Sequence, residues 1–297
     1  MQKNRLVAMS MALMPILVIA IFIGIPALMA LAFSLGYTDG PNSMITLIAQ
    51  NVVRADHGIT FQVYSDLLKN HAFQQSLWVT VLVTLCSVFL ILLIAWGLAI
   101  YMRFAHGWFV HIVSSIYLVP LFIPVVIASY ALVTFWNANG YMSAMLVKLG
   151  ITHFPGFSYT LVGIVIGQIW VNLPFAVLLL ASGLQAVPDA LIESARDVGA
   201  STLRILLAVI LPLNMLPTVI VGTFTGIGVL GSFTIPYLIG PTAPNMLGVT
   251  MDQYYQSFNQ PQQAEAMAVI VFILAAGLGA IYIWANIRSD RKAGAHL

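Results

Sequence analysis

Six long apolar runs, none of which contains a charged side chain, dominate this sequence. They span residues 6–35, 77–101, 111–136, 159–184, 213–239 and 266–287. An apolar run of about 18 residues or more can cross a bilayer as a helix, because a helix satisfies its own backbone N–H and C=O groups. A charge near the centre of such a helix costs about 2.5–3.5 kcal/mol. The sequence therefore predicts an all-α polytopic membrane protein with six transmembrane helices.

The composition supports this class and excludes others. Hydrophobic residues make up 61% of the chain and charged residues 7%, whereas soluble proteins carry about 25% charged residues. A net charge of +2 provides no basic field for a nucleic-acid backbone, so nucleic acid is excluded as a main partner and membrane lipid is the expected surrounding. Cys86 is the single cysteine and cannot form an internal disulfide.

The first run has two interpretations. It follows Lys3 and Arg5, as the apolar core of a secretory signal peptide would. Such a core is about 7–15 residues long, and this run is longer. Its length favours an uncleaved transmembrane helix with a kink near Pro15 or Pro26.

Lys and Arg residues are unevenly distributed between the loops. Such residues accumulate on the cytoplasmic side of membrane proteins. With the N-terminus inside, the inner set is Lys3, Arg5, Arg103, Arg196, Arg204, Arg288, Arg291 and Lys292, and the outer set is Arg54, Lys69 and Lys148. This asymmetry predicts that both termini are cytoplasmic and that the long loop 185–212 also lies inside.

The inner loop 185–212 contains a local helical pattern. Pro188 suits a first helical turn, and Gly199 is the residue type expected just beyond a helix C-terminus. Between them, Leu191, Ala195 and Val198 recur at i, i+4 and i+7, which places them on one face. The pattern predicts a short amphipathic helix. Periodicity alone is equally compatible with an ordinary solvated connection between two spans.

The same loop also matches a known motif. The residues at the motif positions are Glu193, Ser194, Ala195, Gly199, Val209, Leu211 and Pro212. They resemble the Glu-Ala-Ala loop of bacterial ABC-type import permeases, in which Glu-Ala-Ala is followed by three residues, Gly, nine residues, Ile, one residue and Leu-Pro. Ser194 and Val209 depart from that pattern, and both departures are conservative.

The resemblance covers most of the chain and implies a type I ABC importer permease fold, with residues 1–297 as one permease domain in the bacterial inner membrane. It implies that loop 185–212 is a coupling loop that docks on a cytosolic ABC ATPase dimer. ATP and Mg would be bound by that dimer, and no cofactor by this chain. Further implied partners are a second homologous permease and an extracytoplasmic solute-binding protein. The implied coupling residues are Leu191, Glu193, Ser194, Ala195, Val198, Gly199, Leu211 and Pro212.

The solute is less well indicated. Residues 231–241 and 245–248 resemble spermidine/putrescine permease subunits, but related members of that branch resemble permeases for opines or phosphonates. The spans contain no Asp or Glu to compensate a polycation, so its charge would be met by aromatic faces, by Asp252 and Glu265, or by the second permease. The candidate pathway residues are Tyr130, Trp136, Gln168, Trp170, Asn172, Ser232, Thr234 and Tyr237. Hydrogen bonding between helices is the alternative role of the polar ones.

Other motifs fail in context. Residues 226–231 fit the dinucleotide fingerprint Gly-x-Gly-x-x-Gly but lie inside an apolar run, where close helix packing explains the glycines. No Gly-Lys-Ser/Thr sequence occurs, so ATP hydrolysis is expected in another chain. The histidines show no ligand spacing, and no metal site is expected unless His57, His71 and His153 converge in space. An ion-coupled secondary transporter would usually carry an ionisable group inside its spans, and none is seen here. A non-transport scaffold or an intramembrane enzyme is the other alternative, and an enzyme would need a nucleophile and a base at membrane depth, where Cys86 and His111 have no evident mates.

Overall fold

The computed structural model describes residues 13–55, 58–151 and 155–294, and only the backbone of residues 289–294. These residues form helices and connecting segments without a β-strand, so the all-α prediction is confirmed for them. Lys3, Arg5 and the start of the first predicted span lie outside the described residues, as do His57 and His153. The four longest helices are α1 (Leu13–Ser34), α4 (His71–Phe104), α8 (Leu161–Gln185) and α14 (Pro261–Gly294).

Shorter helices connect these four. They are α2 (Ser43–Ile48), α3 (Gln62–Lys69), α5 (Trp108–Ile116), α6 (Val125–Trp136), α7 (Tyr141–Lys148), α9 (Asp189–Asp197), α10 (Thr202–Leu213), α11 (Met215–Leu230), α12 (Thr234–Ile239) and α13 (Leu247–Asp252). In the described part, α1, α4, α8 and α14 are long and apolar enough to cross a bilayer. Two bent pairs raise the number of crossings to as many as six if each pair crosses once.

The first bent pair corrects the prediction of one continuous helix over residues 111–136. Residues Trp108–Phe122 and Val125–Lys148 meet at an angle of 110°. Pro120 lies in a 3-10 turn after α5, and Pro124 precedes α6. Proline lacks a backbone N–H and clashes with the preceding turn, so two prolines this close end one helix and begin another.

The second bent pair corrects the predicted span 213–239. Helix α10 and helix α11 meet at 67°, with Asn214 at the bend, and α11 ends at Leu230. Helix α12 is separated from α11 by residues 231–233. A Cβ at Gly248 would lie 2.6 Å from the Ser232 carbonyl oxygen, so the backbones approach closely at this break. Because only Asn214 separates α10 from α11, the helical part of loop 185–212 continues almost directly into α11.

The described chain packs as two compact units. The first comprises residues up to 75 together with 249–272, and the second comprises residues 76–248 together with 273 onward. Gln262 organises the first unit, because its fully buried amide donates to the carbonyls of Phe33 (2.9 Å) and Val53 (2.8 Å) and accepts from the Val53 N–H (2.8 Å). The assignment of residues 1–297 to one permease domain stays a prediction.

A buried apolar cluster lies at the centre of the second unit. Its members come from five helices and one connection: Ile91, Ala95 and Ala99 of α4, Ala176, Val177, Leu180 and Leu184 of α8, Val187 between α8 and α9, Ile192 of α9, Ile205 and Ile210 of α10, and Val221 of α11. Within a bilayer such residues hold helices together by close van der Waals packing. The short helix α9 is thus attached to the same core as two of the longest helices.

Candidate functional site

Helix α9 forms where the loop pattern predicts it, and its end is well defined. It begins at Asp189, immediately after Pro188, and ends at Asp197. The Gly199 N–H donates to the Arg196 carbonyl (2.8 Å) and the Ala200 N–H to the Ala195 carbonyl (3.0 Å), which is the Schellman arrangement. Gly199 has φ +79°, a left-handed conformation that glycine adopts without strain.

The apolar residues of α9 differ in burial, although the i, i+4 and i+7 spacing of Leu191, Ala195 and Val198 places them on one face. Ala195 is half-buried against the core of the second unit, together with Ile192, which the sequence reasoning missed. Leu191 is 46% exposed and Val198 is 84% exposed. Ile192 and Ala195 are three residues apart and form a second apolar stripe, and this stripe packs against the core. In the sequence, the apolar pair Ile192 and Ala195 at i, i+3 spacing was the signal that could have indicated this buried side.

Leu191, Glu193 and Val198 are all exposed, with Glu193 on a different face of α9 from the other two. Ser194 is also exposed, and its hydroxyl donates to the Ala190 carbonyl (2.6 Å). Exposed apolar side chains on a helix that is itself anchored in a core are available to a partner.

The Leu-Pro end of the motif lies elsewhere. Leu211 and Pro212 are at the end of α10, just before the bend at Asn214. The fully buried Asn214 side chain donates to the Leu180 carbonyl of α8 (3.3 Å). The motif residues thus extend from α9 to the bend at Asn214, and a hydrogen bond holds this bend against α8.

Arg103, in the last turn of α4, is a site residue that the sequence reasoning used only to assign orientation. Its guanidinium donates to the carboxylate of Asp189 and to the carbonyl of Val187 (3.4 Å). Asp189 is the first residue of α9, and its carboxylate is paired with Arg103. The two residues are 86 positions apart, so no local pattern could reveal this contact.

Gln168 and Asn172 lie together on α8, as their spacing predicts. The Asn172 amide donates to the side-chain oxygen of Gln168 (3.3 Å) and to its carbonyl (2.9 Å). Gln168 is 2% exposed, and its amide nitrogen has no hydrogen-bond partner among the described residues. A Cβ at Gly228 of α11 would lie 3.8 Å from the Asn172 side-chain oxygen, so the pair lies next to α11.

The remaining pathway candidates are dispersed. Trp136 and Trp170 both line an almost wholly apolar cavity of about 970 Å³ between α5, α6 and α8. Tyr130 is 59% exposed and is not part of that lining. Tyr237 is exposed and stacks on Phe233, with 5.1 Å between ring centroids. Ser232 and Thr234 are half-buried at the break between α11 and α12.

These features define a helical, multi-pass membrane protein with a short, core-anchored helix between two apolar segments. The chain belongs to the family of binding-protein-dependent transport system inner membrane components, whose model matches residues 91–293. It is a transporter subunit and not an enzyme.

Individual relatives differ in their solutes. The chain is 28% identical over 274 residues to the spermidine/putrescine transport system permease protein PotB of Haemophilus influenzae, covering 91% of each chain. It is 29% identical over 235 residues to the sulfoquinovosyl glycerol transport system permease protein SmoG of Agrobacterium fabrum, covering 76% of this chain and 75% of that one. The fold is similar to a chain of a bacterial ABC transporter that imports alginate (TM-score 0.74, 18% identity, 97% and 96% covered).

Proposed function

We propose that this chain is the permease subunit of an ATP-driven importer. The observation that carries the proposal is the exposure of Leu191, Glu193 and Val198 at α9. The buried side chain of Ile192 fixes this helix to the core. That surface would receive a cytosolic ABC ATPase dimer, which binds ATP and Mg, while this chain binds no cofactor. Closure of the dimer would move α9 and the helices attached to it as rigid bodies. Whether ATP drives uptake is the direct test.

A solute-binding protein is the proposed partner on the opposite side of the membrane. In support, a similar solved structure is that of an alginate transporter in complex with a periplasmic protein. A second homologous permease would complete the pathway, with the bacterial inner membrane as the location.

The proposed topology has six crossings, with each bent pair counted as one. Both termini and loop 185–212 would lie in the cytoplasm. The distribution of Lys and Arg supports this orientation. On this topology, α9 is on the ATP-containing side, as its proposed partner requires.

The orientation predicts the labelling of two exposed serines. In a chain with Cys86→Ser, a cysteine placed by Ser65→Cys in α3 should react with a membrane-impermeant maleimide in cells whose outer barrier is opened. A cysteine placed by Ser201→Cys should react only after the inner membrane is permeabilised. Both serines are exposed, so burial does not differ between them. Equal labelling of both sites in intact inner membranes would overturn the orientation.

For the solute, we propose a polyamine of the spermidine/putrescine class. Similarity to PotB along 91% of the chain supports it. Similarity to SmoG favours the alternative of another small solute, such as a sugar derivative, opine or phosphonate. Gln168, Asn172 and Gly228 mark the proposed pathway, because the Gln168 amide nitrogen is buried without a partner among the described residues.

Asn172→Leu is expected to change solute preference. The substitution removes a side-chain amide beside the unpartnered Gln168 nitrogen, which would weaken contacts with polar solutes to different extents. The measurement is the ratio of spermidine to putrescine uptake, normalised to assembled complex, with Val162→Leu on the exposed side of α8 as control. If yield and thermal stability fall together while the ratio stays unchanged, Asn172 and Gln168 are structural and leave the proposed pathway.

A further inference from the structure

The N-terminal end of α9 has an attachment that differs from the rest of the helix. Ile192 and Ala195 hold the middle of α9 in the apolar core, and the Gly199 turn fixes its C-terminal end. At the other end, Pro188 has no N–H to donate and no side-chain cap closes the first turn. The carboxylate of Asp189 is directed to Arg103 of α4 instead.

Arg103 bridges two points of the connection between α8 and α9. Helix α8 ends at Gln185 and α9 begins at Asp189, so a three-residue connection separates them. The guanidinium of Arg103 donates to the Val187 carbonyl before Pro188 and to the Asp189 carboxylate after it. Both hydrogen bonds come from the same terminal nitrogen, Nη2, which carries two N–H donors. The contact therefore restrains the angle at which α9 leaves α8.

The ion pair is poorly suited to a role in overall stability. The Asp189 side chain is 70% exposed and that of Arg103 is 21% exposed. Solvent screens a pair in which one partner is so exposed, and such pairs contribute little to the free energy of unfolding. A contact of this kind can still fix a direction, because hydrogen bonds to Val187 and Asp189 add a directional restraint to the apolar packing of the helix.

The surroundings leave room for α9 to move once the contact is broken. Arg103 and Asp189 line a cleft of about 470 Å³ together with His106, Glu193 and Arg196. The cleft separates the end of α4 from α9 and α10, so the core does not fill the space beside the ion pair.

We propose that Arg103 is a positioning residue that clamps the N-terminal end of α9 to α4. Through this clamp, a displacement of the exposed surface of α9 is transmitted to the 34-residue helix α4 as well as to α8. The inference rests on the proposed function of α9 as the contact with the ATPase. It assigns to Arg103 and Asp189 the transmission of movement and not the docking itself.

Arg103→Ala should separate ATP hydrolysis from transport in the full complex with its ATPase and binding protein. The permease should retain its ATPase in wild-type amount, because Leu191, Glu193 and Val198 are unchanged. Solute molecules imported per ATP hydrolysed should fall about fivefold or more. Arg103→Lys keeps a cationic donor and should restore most of that ratio. His106→Ala removes another basic side chain from the same cleft and should keep the wild-type ratio.

The outcomes distinguish the clamp from the function on which it rests. A wild-type complex without an ATPase, or uptake independent of ATP, would overturn the proposed function. A coupled wild-type complex together with an Arg103→Ala variant of unchanged transport per ATP would overturn the clamp alone. Loss of the ATPase from Arg103→Ala would likewise overturn it, because Arg103 would then act in docking. Where Arg103→Ala lowers the folded yield, Asp189→Asn provides the same test from the exposed partner.

Discussion

Glu193→Lys is expected to lower solute uptake by about tenfold or more while leaving insertion and folding intact. Glu193 is exposed on α9, so its replacement removes nothing from the core that holds the helix. A reversed charge on the proposed docking surface would face groups of like charge on a partner that is complementary to Glu193. The measurements are uptake and the amount of ATPase that copurifies with the tagged permease. Both should fall together.

Two further variants separate charge from helix geometry. Glu193→Gln keeps the size of the side chain and should reduce copurification less than Glu193→Lys. Gly199→Leu should also impair transport, because its φ of +79° costs an ordinary residue about 1–2 kcal/mol although a Cβ there would meet open space. Gly199→Asn is the matched control, since Asn tolerates this conformation. Wild-type uptake and assembly in Glu193→Lys would refute the assignment of α9 as the coupling helix.

Gly183→Leu is expected to prevent stable folding. A Cβ at Gly183 in α8 would overlap the side-chain oxygen of Asn214 and lie 2.8 Å from Pro217. Asn214 is fully buried and donates to the Leu180 carbonyl, so it has no open space to enter. Overpacking of this kind costs about 1–3 kcal/mol even for small additions, and a leucine adds four carbons. The measurement is the folded yield in detergent and the temperature of unfolding.

The smaller substitution Gly183→Ala should also destabilise the fold, because its Cβ already overlaps the Asn214 oxygen. Gly277→Ala is the control for it. Both glycines are inside long helices, but a Cβ at Gly277 meets nothing within 4 Å. Alanine there should be neutral or stabilising by about 1 kcal/mol, since glycine is the poorer helix former. Combining Gly183→Ala with Asn214→Ala should recover part of the lost stability, because the second change removes the overlapping oxygen. Equal unfolding temperatures for Gly183→Ala and wild type would contradict the close packing of Gly183 against Asn214.

The helical class and three of the long helices follow from the apolar runs. The runs 77–101 and 266–287 lie inside α4 and α14, and the run 159–184 begins two residues before α8 and ends one residue before its end. An apolar run fixes a helix because lipid leaves backbone groups no other partner. Gly199 was equally predictable, since a helix end that needs a left-handed residue is a local property.

The breaks and the long-range contacts could not be predicted in this way. Hydropathy does not distinguish a straight span from the bent segment around Pro120 and Pro124, because both are apolar. The inward direction of Ile192 depends on the core it meets, and α9 has a second apolar side. The pairing of Arg103 with Asp189 joins residues from separate helices, so a single sequence carries no sign of it.

The energy source of uptake distinguishes an ATP-driven importer from an ion-coupled transporter. The affinity-tagged chain would be purified with its partners from native membranes and reconstituted in vesicles, with the binding protein outside and MgATP inside. The solute would be the radiolabelled ligand of that binding protein, with spermidine tried first. If the chain belongs to an ATP-driven importer, uptake should require MgATP, persist when ionophores dissipate ion gradients, and be lost in Glu193→Lys. Uptake driven by an imposed proton or sodium gradient without ATP would contradict it.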